Sequence, residues 1–203
     1  MPSLKEIKNR ITSVQSTRKI TSAMKMVASS KLHHAQMMIE NMLPYENLLE
    51  SMLKTYLEAE VDARTVLTLP REVKKAALVV FASNSSLCGG FNANVLKMMQ
   101  QAVDGYKKRG VEVIIYPVGR KVSEKVNKLG LNTAGNFNSL ADKPNARDCV
   151  KIGEELQELF RKDEIDAVEM IYHHFKSAGS QILLTKKLLP IDVEKAMDYD
   201  HTR

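Results

Sequence analysis

Cysteine is scarce in this chain: among 203 residues only Cys88 and Cys149 carry a thiol, far apart and without CxxC spacing. That excludes a disulfide or zinc framework, and the two are read as buried thiols. Long apolar runs are missing as well. The longest covers residues 76–82, far short of the roughly 20 residues a helix needs to cross a bilayer. The N-terminus carries Lys5, Glu6, Lys8 and Arg10 and then alternates polar with apolar residues. It does not read as a signal peptide, so a cytoplasmic location is expected. Internal repeats and low-complexity tracts are absent. So are GxGxxG, the GxxxxGK[ST] of a P-loop, and any spacing that suggests a Ser/His/Asp or Cys/His arrangement. The pairs His33-His34 and His173-His174 are adjacent residues pointing to different sides of their elements, which is unsuited to a metal site; polar surface or half-buried histidines are expected. No cofactor, metal or catalytic group is expected.

The chain does contain ordinary globular material, with 44% apolar and 27% charged residues, enough for one domain and an appendage. Its net charge of +6 is concentrated. Residues 1–36 hold Lys5, Lys8, Arg10, Arg18, Lys19, Lys25 and Lys31 against the single anion Glu6, while the rest of the chain balances 23 cations with 23 anions. An excess confined to one short segment points to an acidic partner surface. The same segment reads as a helix. Ser3 and Glu6 have capping-box spacing, and residues 3–43 contain neither proline nor glycine, so the helix starts at once and runs unbroken for roughly 60 Å. Leu4, Ile7, Ile11 and Val14 fall at the 3-4-3 spacing of a coiled-coil seam, which Ile20, Met24 and Val27 resume after a break in phase. Eight Ser or Thr residues lie between Thr12 and Ser30. They are mediocre helix formers, so this helix needs a partner helix. Pro44 is expected to kink the helix without ending it, because Tyr45, Leu48, Leu49, Met52, Leu53 and Leu57 continue an apolar face.

From residue 75 onward strands and helices alternate. Strands are expected at 77–82, 111–118, 167–175 and 181–189, and helices at 92–109, 120–129 and 145–162. Such βαβ succession implies a Rossmann-like, mainly parallel sheet with right-handed crossovers. The link between the last two strands is too short for a parallel crossover, so they form a C-terminal β-hairpin. The fold class is thus α/β, a long N-terminal coiled-coil-type helix followed by a Rossmann-like domain. The expected organisation is an arm over 1–64, a linker over 65–75, the domain over 76–191 and a tail over 192–203.

Residues 83–92, SNSSLCGGFN, sit between the first strand and its helix, where doubly wound folds often hold a phosphate. Gly89 and Gly90 are read here as a structural turn into the helix.

The run SLKEIKNRITSVQSTRKITSAMKMVASSKLHHAQ over residues 3–36 resembles, nearly residue for residue, the N-terminal signature of gamma subunits of F-type ATP synthases. SNSSLCGGFNANV resembles the same family's loop after the first strand, usually closer to SDKGLCGGLN; Asn84, Ser85 and Ser86 depart from its acidic, basic and glycine positions. The resemblance covers essentially the whole chain. It implies a non-catalytic central-stalk rotor subunit that couples c-ring rotation to conformational change in catalytic beta subunits. It also implies alpha, beta and epsilon subunits and the c-ring as partners, and a peripheral place at the cytoplasmic face of the cell inner membrane. By the same resemblance Met24, Lys25, Arg10, Arg18, Lys19 and Ile20 contact the partners that the shaft passes. The family ends in a second long helix that pairs with the first, whereas this sequence stops at Arg203; this form is expected to dock at the foot of the complex without sustaining coupled rotation, and its bare seam to associate with another copy or fold back. A basic-helix nucleic-acid binder and a small Rossmann-like nucleotide-binding enzyme are the alternatives. Against the first, the seam begins at Leu4 inside the basic region and leaves less cationic face for a groove, and no nucleic-acid partner is expected.

Overall fold

The computed structural model describes residues 2–59 and 65–192, and the chain divides into two units, residues 1–53 and 54–203. The side chain of Leu57, the last residues expected in the arm (60–64) and the tail from 193 lie outside the described residues.

The first unit is built on one helix, α1 (Leu4–Ala59), which runs on through Pro44. It starts at the expected capping box: the Ser3 amide donates to Glu6 Oε2 at 2.8 Å and the Glu6 amide to Ser3 Oγ at 3.3 Å. The two bonds satisfy donors that the first helical turn leaves unpaired. Further along, the hydroxyls of Thr12, Thr17 and Thr21 donate to the carbonyls of Lys8, Ser13 and Thr17 at 3.1, 3.0 and 2.8 Å. Hydroxyls that fold back on their own helix satisfy themselves locally but add no propensity.

The second unit holds β1 (Lys75–Phe81), α2 (Phe91–Lys108), β2 (Glu112–Val118), α3 (Arg120–Leu129), α4 (Asn138–Asp142), α5 (Ala146–Arg161), β3 (Ala167–Ser177) and β4 (Ser180–Leu189). The sheet order is β2-β1-β3-β4. β1 pairs in parallel with β2 and with β3, Val79 standing between Tyr116 and Met170, and β3 turns back into β4 as the expected antiparallel hairpin. Two elements escaped the sequence reading, the five-residue α4 and a 3-10 turn at Val66–Thr68. Neither is long enough to show a period.

β1 is covered on both faces. Ala76, Leu78 and Val80 pack with Val95, Met99 and Val103 of α2 and Val122 and Val126 of α3. Ala77 and Val79 pack on the other side with Leu140 of α4 and Leu156 and Phe160 of α5. The outer edge of β2 is closed by a short stretch of chain, the Ile115 amide donating to Asn132 O and the Ala134 amide to Ile115 O, both at 2.9 Å. A further tie holds the chain entering β1. Asp166 is buried and accepts from the amides of Lys74 and Lys75 at 2.9 and 3.0 Å, and its other oxygen forms an ion pair with Arg71, 3.0 Å from Nε. The guanidinium of Arg71 also donates to the carbonyls of Phe160 and Ile165, pairs with Asp163 and lies 4.0 Å over the Phe160 ring.

The two thiols correct the sequence reading. Cys88 is only partly buried and Cys149 is exposed. Cys149 sits near the start of α5, whose buried residues, Leu156 and Phe160, come later.

Two glycines should respond oppositely to alanine. At Gly119, φ is +110° and an added Cβ would stand 2.0 Å from the carbonyl oxygen of Ala82, so Gly119→Ala should cost about 3 kcal/mol or more. Gly105 lies inside α2 with nothing within 4 Å of an added Cβ, and Gly105→Ala should stabilise by about 0.5–1 kcal/mol. Urea midpoints followed through tyrosine fluorescence measure both. Asp166→Ala should lower the midpoint by an amount equivalent to about 3 kcal/mol, because it leaves the Lys74 and Lys75 amides without an acceptor and removes one of the two carboxylates that pair with Arg71.

Candidate interaction surface and the loop after the first strand

All seven seam residues of α1, Leu4, Ile7, Ile11, Val14, Ile20, Met24 and Val27, are exposed, from 42% at Ile7 to 71% at Leu4. The stripe continues past Pro44 through Tyr45, Leu48, Leu49, Met52 and Leu53, all exposed. Large apolar side chains recurring at helical spacing on a water-facing helix mark a surface that another molecule covers.

The cations Arg10, Arg18, Lys19 and Lys25 are exposed too. Among the described residues none of the seven arm cations forms an ion pair. The helical repeat decides which of these groups can act together. Ile20, Met24 and Val27 stand at i, i+4 and i+7 and share a face, and Arg18 and Lys25, seven apart, share another; an offset of two residues turns the second about 200° from the first. The middle of the arm therefore offers an apolar side and a cationic side at once. Met24 belongs to the apolar side and Lys25 to the cationic side, so these neighbours serve different surfaces.

In the second unit residues 83–90 form a loop closed on itself. Asn92 is buried: its Oδ1 accepts from the Ser83 amide at 3.0 Å, and its Nδ2 donates to Ser83 Oγ and Ser85 O and contacts Cys88 Sγ, each at 2.9 Å. Gly89 has φ +56° and Gly90 leads into α2. Leu87 is left 83% exposed. The amides of Cys88 and Phe91 bond to Ser86 O and Cys88 O, so with that of Ser83 three amides of this segment are already engaged and unavailable to a phosphate. Beside the loop, at the C-terminal ends of the parallel strands where doubly wound folds take their ligands, lies a crevice of about 380 Å³ lined mainly by Phe81, Phe91, Val118, Leu140, Met170 and Tyr172. Among the described residues its lining holds no Lys, Arg, Asp or Glu. A nucleotide's phosphates would find no countercharge there.

His173 also borders this crevice, stacked on Phe91 with ring centroids 4.0 Å apart. Burial pushes its imidazole down from the ordinary histidine range, which favours the neutral ring. His174, His33 and His34 are exposed. Among the described residues no group of His, Cys, Asp and Glu could hold a metal ion.

Residues that the sequence did not single out are Arg120, Asn138 and Asp142, all of which meet Asn84. They lie 36 to 58 positions from it, beyond the reach of any local pattern.

Comparison with known proteins follows the same lines. Residues 3–203 match the family model described as ATP synthase. The chain is 53% identical over 204 residues to the ATP synthase gamma chain of Bacteroides fragilis, covering all of this chain and 70% of that one. It is 42% identical over 205 residues to the ATP synthase gamma chain of Parabacteroides distasonis, covering 98% and 71%. Among solved structures it is similar in fold to a chain of the Tetrahymena thermophila mitochondrial ATP synthase central stalk and c-ring, with a TM-score of 0.62 at 22% identity over 89% of this chain and 84% of that one. The chain belongs to the ATP synthase gamma chain family.

Proposed function

We propose that this chain is the central-stalk rotor subunit of a proton-translocating ATP synthase, coupling rotation of the c-ring to conformational change in catalytic beta subunits. The observation that carries the reading is the exposed apolar row along a 56-residue helix. An isolated helix gains little stability without packing, and this one presents both a seam for a partner helix and a separate cationic face.

The arm, residues 1–64, supplies half of a coiled coil standing within a ring of alpha and beta subunits. Residues 65–75 join it to the domain of 76–191, which sits at the foot beside epsilon and the c-ring. Arg10, Arg18, Lys19 and Lys25 face acidic levers on the ring. Met24 and Ile20 reach the same levers from the apolar side as the shaft turns, and the flexible thioether of Met24 suits a surface that meets several partner conformations in turn. The mechanism is conformational: a shaft whose sides differ favours a different state of each beta subunit at each angle. No chemistry is assigned to this chain. It is held at the cytoplasmic face of the inner membrane through the complex; no described helix is long and apolar enough to cross a membrane, which fits a peripheral place.

Replacing Met24 by Lys in the assembled enzyme puts a cation on the apolar side, where it holds an acidic lever in one rotational state. Assembly should survive, while protons pumped per ATP hydrolysed should fall about two- to fivefold, the effect of a partly exposed ion pair. Acridine-dye quenching alongside phosphate release in inverted vesicles reads the ratio, and an unchanged ratio contradicts a coupling role for this position. The double variant Arg18→Gln, Lys25→Gln tests the other face. It should weaken the salt dependence of coupling, since exposed charge contacts are screened by salt.

A further inference from the structure

α3 begins after Gly119, which has no side chain to cap it. The missing acceptor comes from elsewhere in the chain: Asn84 Oδ1 takes the Arg120 amide at 2.7 Å. The other end of the same side chain donates, from Nδ2, to Asn138 O at 2.9 Å and Asp142 Oδ2 at 2.7 Å. Asn138 opens and Asp142 closes α4, so one amide joins the loop to two helices. The partners also fix which way the amide points, because a backbone N–H only donates and a carboxylate only accepts. Arg120 completes the tie by donating from its guanidinium to Asn84 O at 2.6 Å.

We propose that Asn84 is a positioning residue matched to Asp142, and that this pair sets the order of the 83–90 loop that displays Leu87 and half-covers Cys88. A carboxylate at position 84, the residue type of the resembling loop SDKGLCGGLN, caps α3 equally well. It has no N–H for Asn138 O, however, and it sets two carboxylates about 3 Å apart, which resist joint ionisation. Charged groups near the tie are Arg120, Lys121 and Glu124 of α3 and Lys143, which follows Asp142 in the chain. Lys121 pairs with Glu124 at 3.1 Å, and Arg120 Nε lies 3.7 Å from the same carboxylate. The charge of Arg120 therefore already has a partner beyond Asn84. α4 has five residues; Phe137 before it offers no side-chain cap, and the Asn138 amide donates to Asn136 Oδ1 at 3.0 Å. Its tether to Asn84 is one of few, together with the bond from Ser123 Oγ to Asn138 Oδ1 at 2.8 Å.

The test uses the whole chain carrying Cys149→Ser, which removes the exposed thiol and leaves Cys88 as the reporter. Two quantities are read: the rate at which an aromatic disulfide reagent labels Cys88 at pH 7.5, and the urea midpoint between pH 7.5 and pH 4. In Asn84→Asp the label should enter at least about threefold faster, as the local opening of the loop becomes easier, and the midpoint should fall. The midpoint deficit should shrink on acidification, as the carboxylate pair takes up a proton. Adding Asp142→Asn to Asn84→Asp restores a donor opposite an acceptor, so both quantities should return toward the parent. Asn84→Ala should loosen the loop without the pH-dependent part. Parent-like labelling and midpoint in Asn84→Asp, or a double variant no better than Asn84→Asp alone, overturns the pairing. If Asn84→Asp does not fold, the double variant still must, and its failure to fold overturns the proposal equally.

Discussion

β1 has no side open to water. Residues 76–80 stand buried between two parallel neighbours and between two helical layers, so the longest apolar run in the chain becomes the centre of the domain. A strand buried on both faces needs side chains without polar groups throughout, and residues 76–80 supply alanine, leucine and valine alone. The rest of the domain is arranged around it. α2, which joins β1 to β2, and α3, which follows β2, pack on one face, while α4 and α5, which lead into β3, pack on the other. The crevice and the 83–90 loop then fall at the C-terminal ends of the strands.

α1 obeys the opposite constraint. Its apolar residues are as regular as those of β1 but are exposed, and its hydroxyls bond to their own helix. Burial of apolar surface is the main source of helix stability in proteins. A helix with this pattern therefore acquires its stability in company, and a rotor needs an element whose rigidity arises on assembly. The cations fit the same logic. Concentrated on the arm and in no ion pair among the described residues, they give it a positive field that suits an acidic surface without one fixed contact.

Much of this was readable in advance, for reasons that differ by element. The capping box at Ser3 and Glu6, the proline-free run to Leu43 and the period of Leu4, Ile7, Ile11 and Val14 are local signals, and the helix they describe is present. The pairing of β3 with β4 followed from a connection length, since a link that short permits only a hairpin. What stayed hidden depends on distant parts of the chain. α4 exists because Leu140 packs under β1 and because Asn84 reaches across to it; five residues carry no period. Asp166 looks like any surface carboxylate until Arg71 and the Lys74 and Lys75 amides converge on it. The expectation that both thiols are buried failed at Cys149 because composition says which residue types favour interiors, not which turn of a helix faces out.

The claim on which the functional account rests is that α1 draws its stability from partners rather than from its own sequence. Amide hydrogen exchange on the chain alone and on the assembled enzyme measures this directly. The account predicts that amides of residues 4–43 exchange far faster than those of β1 in the free chain and approach the protection of β1 in the assembly, with the gain centred on the turns holding Ile11, Ile20 and Met24. An arm protected as strongly as β1 in a demonstrated monomer, or one whose exchange does not change on assembly, contradicts it.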